Sequence, residues 1–236
     1  APADAKNRRR TRRKRFYIDE EGLLQDNAPD ENAPAVIRLW MEAQRVAVEA
    51  EITPNAAENA FILDRLLELE AAHEFTHAAA TDGSVGWERD RESAMCGERQ
   101  AGRAALLAGE EGNLVLGGAM PSVHEGFDTQ SYDSELEAFS DVLCHVARAP
   151  RGKRRVVIVT DCLSGSQALW RFHTRSIRER AGYYADDRLA GLLVVEDECE
   201  VVAYVWLHSH VNITLSEGAD TAANSARKGE LAPSLT

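Results

Sequence analysis

The sequence has few features that would place the chain in a membrane or in an oxidising compartment. No apolar run approaches the roughly 20 residues that a helix needs to cross a bilayer, which excludes a membrane-spanning segment. The four cysteines are widely spaced and form no CxxC pair, so we expect no disulfide framework and no cysteine zinc site. A reducing, intracellular setting (nuclear, cytoplasmic or mitochondrial) follows. The N-terminus lacks the apolar core of a secretory signal, and the missing initiator methionine predicts a processed protein or a piece of a longer polypeptide.

Charge is distributed unevenly along the chain. Hydrophobic residues make up 44% and charged residues 28% of the 236 residues, which is typical of a globular protein. The net charge is −12, yet the first 15 residues carry eight basic side chains against one acid, Asp4. This +7 leaves −19 for the other 221 residues. An acidic body is unusual for a nucleic-acid-binding protein, because phosphate contacts usually dominate affinity.

The first third of the chain predicts an arm and a helical hairpin. Residues 1–34 are poor in apolar side chains and combine the basic run with an acidic loop, which predicts a flexible arm. The arm is interpreted as a nucleic-acid-binding segment, a targeting signal or a solvated tail. Two stretches of helical apolar spacing, separated by the N-cap Thr53 and Pro54, predict a helical hairpin over residues 35–74.

Residues 75–236 alternate between strand and helix patterns. FTHAAATDGS predicts a strand that ends in a turn at Asp82-Gly83. Together with GRAALLAGE and NLVLGGAMP it predicts an antiparallel meander, with a loop over residues 85–100. A helix over residues 134–149, capped by Asp133 or Ser134, precedes the β-branched run RVVIVTD, which is typical of a buried central strand. After this strand we predict a helix (continuous or broken), then LAGLLVVED as helix or strand, the strand VVAYVWLHS, and a last helix from about Ser216. This order predicts a mixed α/β sheet.

Four carboxylates stand where such a fold gathers its ligands. Asp82 and Asp161 each follow an apolar run, while Glu135 and Asp220 lie in the first turns of predicted helices. Ligands of open α/β sheets bind outside the strand ends, and four carboxylates brought together repel one another unless cations neutralise them. Oxygen-rich clusters prefer magnesium or manganese. Each acid alone is more often a turn former or a solvated side chain, but their joint placement predicts a metal site, with His210 beside it as a proton carrier.

These stretches resemble a known family. TDGS, SELEAF, VVIVTDCLSGSQAL and WLHSHVNITLSEGAD are similar, in this order, to the four motifs of ribonuclease H domains, most of all those of non-LTR retroelement reverse transcriptases. The last motif keeps a tryptophan, a histidine four residues on and a Glu–small–Asp ending. Ser216 replaces the usual asparagine, Ser209 the usual glycine, and Cys162 a common serine. The resemblance covers residues 75–228.

The resemblance implies a ribonuclease H-like domain over residues 75–236, with a mixed five-stranded sheet flanked by helices. It implies a metal-dependent endonuclease that hydrolyses the RNA strand of RNA–DNA hybrids. Asp82, Glu135, Asp161 and Asp220 would hold two Mg²⁺ ions, with Mn²⁺ as the alternative. One ion would activate water and the other would stabilise the leaving oxygen, and His210 would carry a proton.

The hybrid itself would be recognised through the 2′-hydroxyl groups and the backbone shape rather than the base sequence. The candidate substrate contacts are Ser84, Ser131, Ser164, Arg171 and Arg175, with Arg178 beyond them. For the arginines, a solvated helix face is an equally good interpretation. We expect the chain to be part of a retroelement polyprotein, with an adjoining polymerase domain or a ribonucleoprotein bound through the arm, and no membrane partner.

Two alternatives stay open at this point. His73-Glu74-Phe75-Thr76-His77 matches the HExxH pattern of zinc proteases, which needs both histidines on one helix face. The strand predicted from residue 75 would separate these histidines, and Glu98 is in range as a third ligand without a supporting motif. The second alternative is a ribonuclease H fold without activity, acting as a nucleic-acid-binding or structural subunit of a ribonucleoprotein.

Overall fold

The computed structural model describes residues 14–18, 36–87, 99–109, 112–120, 123–124, 127–128, 131–175 and 187–230. The strands in these ranges are β1 (Lys14–Ile18), β2 (His77–Trp87), β3 (Arg99–Gly109), β4 (Gly112–Met120), β5 (Val123–His124), β6 (Phe127–Asp128), β7 (Arg155–Thr160) and β8 (Val201–Trp206). The helices are α1 (Val36–Glu49), α2 (Pro54–His73), α3 (Ser131–Arg148), α4 (Leu163–Thr174), α5 (Asp187–Glu196) and α6 (Thr214–Arg227). Within the described ranges, no helix combines the length and apolar character needed to span a bilayer.

A six-stranded sheet with the order β1-β8-β7-β2-β3-β4 forms the centre of the molecule. Strands β2, β3 and β4 form an antiparallel meander, whereas β7 runs parallel to β2, and β8 runs parallel to β7. The predicted mixed five-stranded sheet flanked by helices is therefore confirmed as β4-β3-β2-β7-β8. The short strands β5 and β6 pair only with each other in the described part of the chain.

Both faces of the sheet are covered by helices. The side chains of β7 alternate between two apolar cores: Val157 and Val159 pack with residues of α1, α2 and α6, and Val156 and Ile158 pack with residues of α3, α4 and α5. Every residue of β7 after Arg155 is buried. A strand enclosed on both faces has no polar alternation, which is why its sequence is a continuous β-branched run.

The helical hairpin forms close to its predicted bounds and shares a core with the sheet. The Thr53 hydroxyl accepts a hydrogen bond from the Ala56 N–H at 3.1 Å, and Pro54 occupies the first helical position. Ile62, Leu63 and Leu66 of α2 are buried in the same apolar core as Val157 and Val159 of β7. The hairpin thus covers one face of the sheet beside α6.

Part of the predicted flexible arm is an edge strand, which is a correction to the sequence-based interpretation. Strand β1 pairs parallel with β8. The Arg15 guanidinium donates to the carbonyls of Glu196 (2.6 Å) and Cys199 (3.0 Å), and its Nε lies 2.5 Å from Glu196 Oε1. Glu196 is 1% exposed, and a carboxylate buried to this extent requires a charged or hydrogen-bonding partner. Residues 1–13 and 19–34 of the arm lie outside the described residues.

Three local predictions differ from the structure: the turn after Asp82, the start of the following loop and the first residue of a helix, whereas the stretch left open as helix or strand is settled as helix. Strand β2 does not turn at Asp82-Gly83 but continues to Trp87, held by pairing with β3 along its whole length. Residues 85–87 of the predicted loop are therefore strand, and 88–98 lie outside the described ranges. Helix α3 begins at Ser131, before the predicted cap. The stretch predicted as helix or strand is the helix α5.

The HExxH pattern does not form a zinc site. Helix α2 ends at His73, and Glu74 adopts the left-handed conformation (φ 48°) as its C-cap. His77 is the first residue of β2. The helix that would place both histidines on one face therefore stops at the first of them. Glu98 lies outside the described residues.

Candidate metal centre

Asp82 and Asp161 lie together because two neighbouring parallel strands separate at the same level. The ladder between β2 and β7 ends at the pair Ala80–Val159, and each aspartate comes two residues after this last pair. Strand alternation places Asp82 on the sheet face of Ala80, which is the face that α6 covers. The fold thus brings both carboxylates to the carboxyl end of adjacent strands, where α/β sheets bind their ligands.

Glu135 reaches the same point from the first turns of α3. The Gly83 N–H donates to Glu135 Oε1 at 3.0 Å. A Cβ added at Gly83 would lie 2.3 Å from Ser134 Oγ and 2.8 Å from the Glu135 backbone nitrogen. Glycine is therefore required after Asp82 so that α3 can approach the strand, rather than to form the turn that the sequence suggested.

The three carboxylates form a compact and poorly neutralised cluster. One oxygen each of Asp82, Glu135 and Asp161 lies within 4.8 Å of the others. Glu135 is 4% exposed, and its Oε2 has no hydrogen-bond partner in the described part of the chain. Such an atom carries a full desolvation cost unless something binds it.

The electrostatics of the cluster favour a cation or a proton. Burial, together with the charges of Asp161 and Asp220, raises the pKa of Asp82 from 3.8 to about 7. Burial, followed by repulsion from Asp82 and Asp161, raises the pKa of Glu135 well above its ordinary value. Asp161 is the most exposed of the three, yet the protein packed around it still removes enough water to raise its pKa. His210 opposes these shifts at both aspartates.

Asp220 faces the same cleft from α6 but stands outside the compact group of three. It lines the cleft together with Asp82, Asp161 and His210. The Asn224 side chain, one helical turn on, donates to Asp220 Oδ1 at 3.0 Å. Asn224 Oδ1 in turn accepts from the Ser84 hydroxyl at 2.8 Å. This chain of hydrogen bonds fixes the Asp220 carboxylate at the rim of the cleft.

His210 stands at the open side of the cleft in a turn between β8 and α6. Its side chain is 72% exposed, and its Nδ1 lies 3.7 Å from Glu217 Oε2. His210 has a positive φ of 56°, and Asn212 one of 46°. Positive φ is uncommon outside glycine, although histidine and asparagine adopt it more readily than most residues.

Trp206 and His208 have structural contacts instead. The Trp206 indole N–H donates to the Asp161 carbonyl at 3.0 Å, and the Trp206 and His208 rings lie 4.6 Å apart in an edge-to-face arrangement. His208 Nε2 lies 2.6 Å from Glu58 Oε2 of α2. Of the two histidines in the motif, His210 is therefore the one with a free path to solvent above the carboxylates.

The predicted substrate contacts fall into two groups. Ser164, Arg171 and Arg175 are exposed; Ser164 and Arg171, seven residues apart, lie on one side of α4, and Arg175 is the extended C-cap that follows the helix. Ser84 lies beside the cleft, but its hydroxyl donates to Asn224 and accepts from the Arg227 guanidinium at 3.1 Å. The side chain of Ser131 and the whole of Arg178 lie outside the described part of the structure.

Several residues around the site were missed by the sequence-based reasoning. Asn224 follows Asp220 by four residues, and Arg227 follows it by seven, so both share its helix face; that spacing was a usable signal. Asn59 of α2 is 0% exposed and was overlooked among the buried apolar residues next to it on the helix, Ala56, Ile62 and Leu63. A fully buried side-chain amide needs hydrogen-bond partners within the protein.

Comparison with known proteins gives structural neighbours only: no protein-family profile and no curated protein matches the chain. The structure is similar to ribonuclease H1 of the archaeon Halobacterium salinarum, at 13% identity over 64% of this chain and 96% of that chain, with a TM-score of 0.41. It is also similar to the N-terminal RNase H domain of a Mycobacterium tuberculosis protein (14% identity, 64% and 98% coverage, TM-score 0.41). A third similar structure is prototype foamy virus protease–reverse transcriptase, at 14% identity over 69% of this chain and 22% of that chain, with a TM-score of 0.41. At these values the function has to be inferred from the chain's own residues.

Proposed function

We propose that the chain is a metal-dependent endonuclease that hydrolyses the RNA strand of RNA–DNA hybrids. The observation that carries this proposal is the cluster of Asp82, Glu135 and Asp161 oxygens within 4.8 Å of one another. An unneutralised cluster of this kind is costly for the fold, so a purely structural role gives no reason for it. The same three residues, with Asp220, are the acids of the motifs that resemble ribonuclease H.

A hard divalent cation fits the donor set. All three ligands offer carboxylate oxygens, which suits Mg²⁺ or Mn²⁺ better than zinc. The buried Glu135 Oε2, which lacks a hydrogen-bond partner among the described residues, is an atom that a cation would satisfy. Asp220, fixed at the rim by Asn224, supports a second ion position beside the first. Two ions bound by these four acids would polarise the attacking water and stabilise the leaving 3′ oxygen.

The chain's own residues would position the substrate and handle protons. His210 is exposed above the carboxylates, so its imidazole can take a proton at the cleft and release it to solvent. Glu217, 3.7 Å from the ring, would stabilise the protonated form. Selectivity for RNA would come from contacts to the 2′-hydroxyl next to the cut.

The hybrid would lie along α4, where Ser164 and Arg171 are exposed on one side of the helix and Arg175 follows at its end. Exposed arginines suit phosphate contacts, which position a nucleic acid without reading its sequence. Ser84, which bonds to Asn224, would support Asp220 as well as any substrate contact. The setting that we propose is a retroelement polyprotein inside the cell, with a polymerase domain or ribonucleoprotein bound through the N-terminal arm.

The test is cleavage of an RNA–DNA hybrid labelled on either strand. We expect wild-type protein to cut the RNA strand alone in Mg²⁺ or Mn²⁺, and Asp82→Asn or a chelator to abolish cutting. Asp141→Asn, which changes an acid of α3 paired with Arg103 at 2.7 Å, is the matched control and should keep activity. Binding of the hybrid without cleavage in either metal would refute the proposal and favour the catalytically silent subunit.

A further inference from the structure

The turn that carries His210 is held at both ends by the helical hairpin. At its start, Asn59 of α2 bonds to both backbone groups of His208: its Oδ1 accepts from the His208 N–H at 2.9 Å, and its Nδ2 donates to the His208 carbonyl at 3.1 Å. This pair of bonds fixes the position and the rotation of the peptide chain at one residue. Asn59 is 0% exposed, so water cannot replace either bond.

The other end of the turn is held by α1. Gln44 Oε1 accepts from the Thr214 N–H at 2.7 Å, and Thr214 is the first residue of α6. Gln44 is 6% exposed. The N–H groups in the first turn of a helix have no partner within the helix, so Gln44 satisfies one of them and ties the start of α6 to the hairpin.

Between these two anchors the turn is tightly confined. Val211 and Ile213 are 4% and 1% exposed and pack in the apolar core that the hairpin shares with the sheet. His210 and Asn212 have positive φ angles, a conformation that few non-glycine residues adopt, although histidine and asparagine adopt it more readily than most. The side chains of His210, Ser209 and Asn212 are exposed, whereas the backbone of the turn is held against the protein. The backbone under the proposed proton carrier is thus fixed by residues from outside the ribonuclease H-like motifs.

We propose that Asn59 and Gln44 are positioning residues, which hold the turn so that His210 stands over the carboxylate cluster. This inference rests on the proposed nuclease function. A residue that merely satisfies buried polar groups would contribute to stability but not to the step that His210 serves. A positioning residue affects that step, and its effect disappears when His210 is removed.

A double-mutant cycle separates the two roles. Single-turnover cleavage at saturating enzyme is measured for Asn59→Ala, His210→Ala, the double variant and wild type. We expect Asn59→Ala to slow cleavage about tenfold, because small misplacements of a catalytic group are costly, with the hybrid Kd unchanged. In the His210→Ala background the same change should alter the rate less than about twofold. Multiplying effects, or an unaltered rate in Asn59→Ala, would overturn the inference.

Thr53→Ala is the matched control. It removes the N-cap of α2 and weakens the hairpin without touching the turn, so it should lower the melting temperature and keep the cleavage rate. Equal loss of rate in Thr53→Ala would show that general hairpin stability is responsible, and would overturn the positioning role. Gln44→Ala should behave like Asn59→Ala and replaces it if that variant does not fold.

A measurement without activity keeps the inference independent of the nuclease proposal. The ¹⁵N heteronuclear NOE of the His210 amide should report an ordered backbone in wild type and Thr53→Ala and a mobile one in Asn59→Ala. An ordered His210 in Asn59→Ala would refute positioning by Asn59, whatever the cleavage result. Failure of wild-type protein to cut hybrids would refute the proposed function, and the NOE would still decide whether the hairpin orders the turn.

Discussion

Replacing Asp82 by asparagine should stabilise the metal-free protein at alkaline pH. The pKa of Asp82 is raised from 3.8 to about 7 by burial and by the charges of Asp161 and Asp220. Between these two values the folded protein keeps a proton that the unfolded chain has already lost. Below about pH 4 Asp82 is protonated in both states and costs the fold no stability. As the pH rises from there through about 7, this contribution to the free energy of unfolding is lost.

The size of the effect follows from the pKa difference. Each unit corresponds to about 1.4 kcal/mol, so a gap of about 3 units sets an upper limit of about 4 kcal/mol. Solvent screening of the partly exposed Asp82 reduces this limit, and we expect about 1 to 3 kcal/mol. For a domain of this size that corresponds to a rise in Tm on the order of 5 °C. Asparagine cannot ionise, so the variant avoids the cost altogether.

The assay is thermal unfolding of wild type and Asp82→Asn at pH 5 and pH 8, in chelator and in Mg²⁺. The Tm of the variant should exceed that of wild type most at pH 8 in chelator. The difference in Tm should shrink at pH 5, and it should reverse in Mg²⁺, where metal binding stabilises the wild type. Asp141→Asn, which loses an ion pair with Arg103, should be destabilised at both pH values. A lower Tm for Asp82→Asn at pH 8 in chelator would show that the ionised Asp82 side chain does not destabilise the metal-free fold.

Two further changes test the surroundings of the site. Asn224→Ala removes the donor to Asp220 and should weaken Mg²⁺ binding about tenfold, measured by calorimetry. Thr221→Ala, on the exposed side of the same helix, is the control and should leave the affinity unchanged. Unchanged Mg²⁺ affinity in Asn224→Ala would show that Asn224 does not support Asp220. Glu196→Gln leaves the Arg15 guanidinium buried beside a neutral group and should lower the free energy of unfolding in urea by about 3 kcal/mol. A decrease below about 0.5 kcal/mol would mean that β1 does not depend on this ion pair.

The acids of the site were predictable because local sequence encodes their positions. The β-branched run from Val156 to Val159 is typical of a buried strand, and an aspartate directly after such a strand lies at its carboxyl end. Glu135, at the start of an amphipathic helix, follows the same logic. What remained hidden was the role of Gly83, because a close approach between β2 and α3 leaves no local sign different from that of a turn.

The supports of the site were not predictable because their partners are backbone groups far along the chain. Asn59 binds the peptide groups of His208, 149 residues away. Because every residue has the same backbone N–H and carbonyl groups, the sequence does not indicate which of them a side chain will bind. Strand β1 was masked in a similar way: the arginines around it indicate a solvated arm, while its pairing partner β8 lies more than 180 residues further on. In both cases the tertiary contact overrides the local composition.

Strand β1 also determines how the protein could be shortened. It covers the open edge of β8, whose residues Val201, Val202 and Val205 are buried and apolar. A fragment that begins at residue 75, where the motifs begin, would lack this cover and the hairpin together. It would present an unpaired, valine-rich edge and an uncovered sheet face, which are the features that drive strand-to-strand aggregation. The smallest fragment expected to resist aggregation in recombinant form therefore includes Lys14–Ile18 as well as the hairpin.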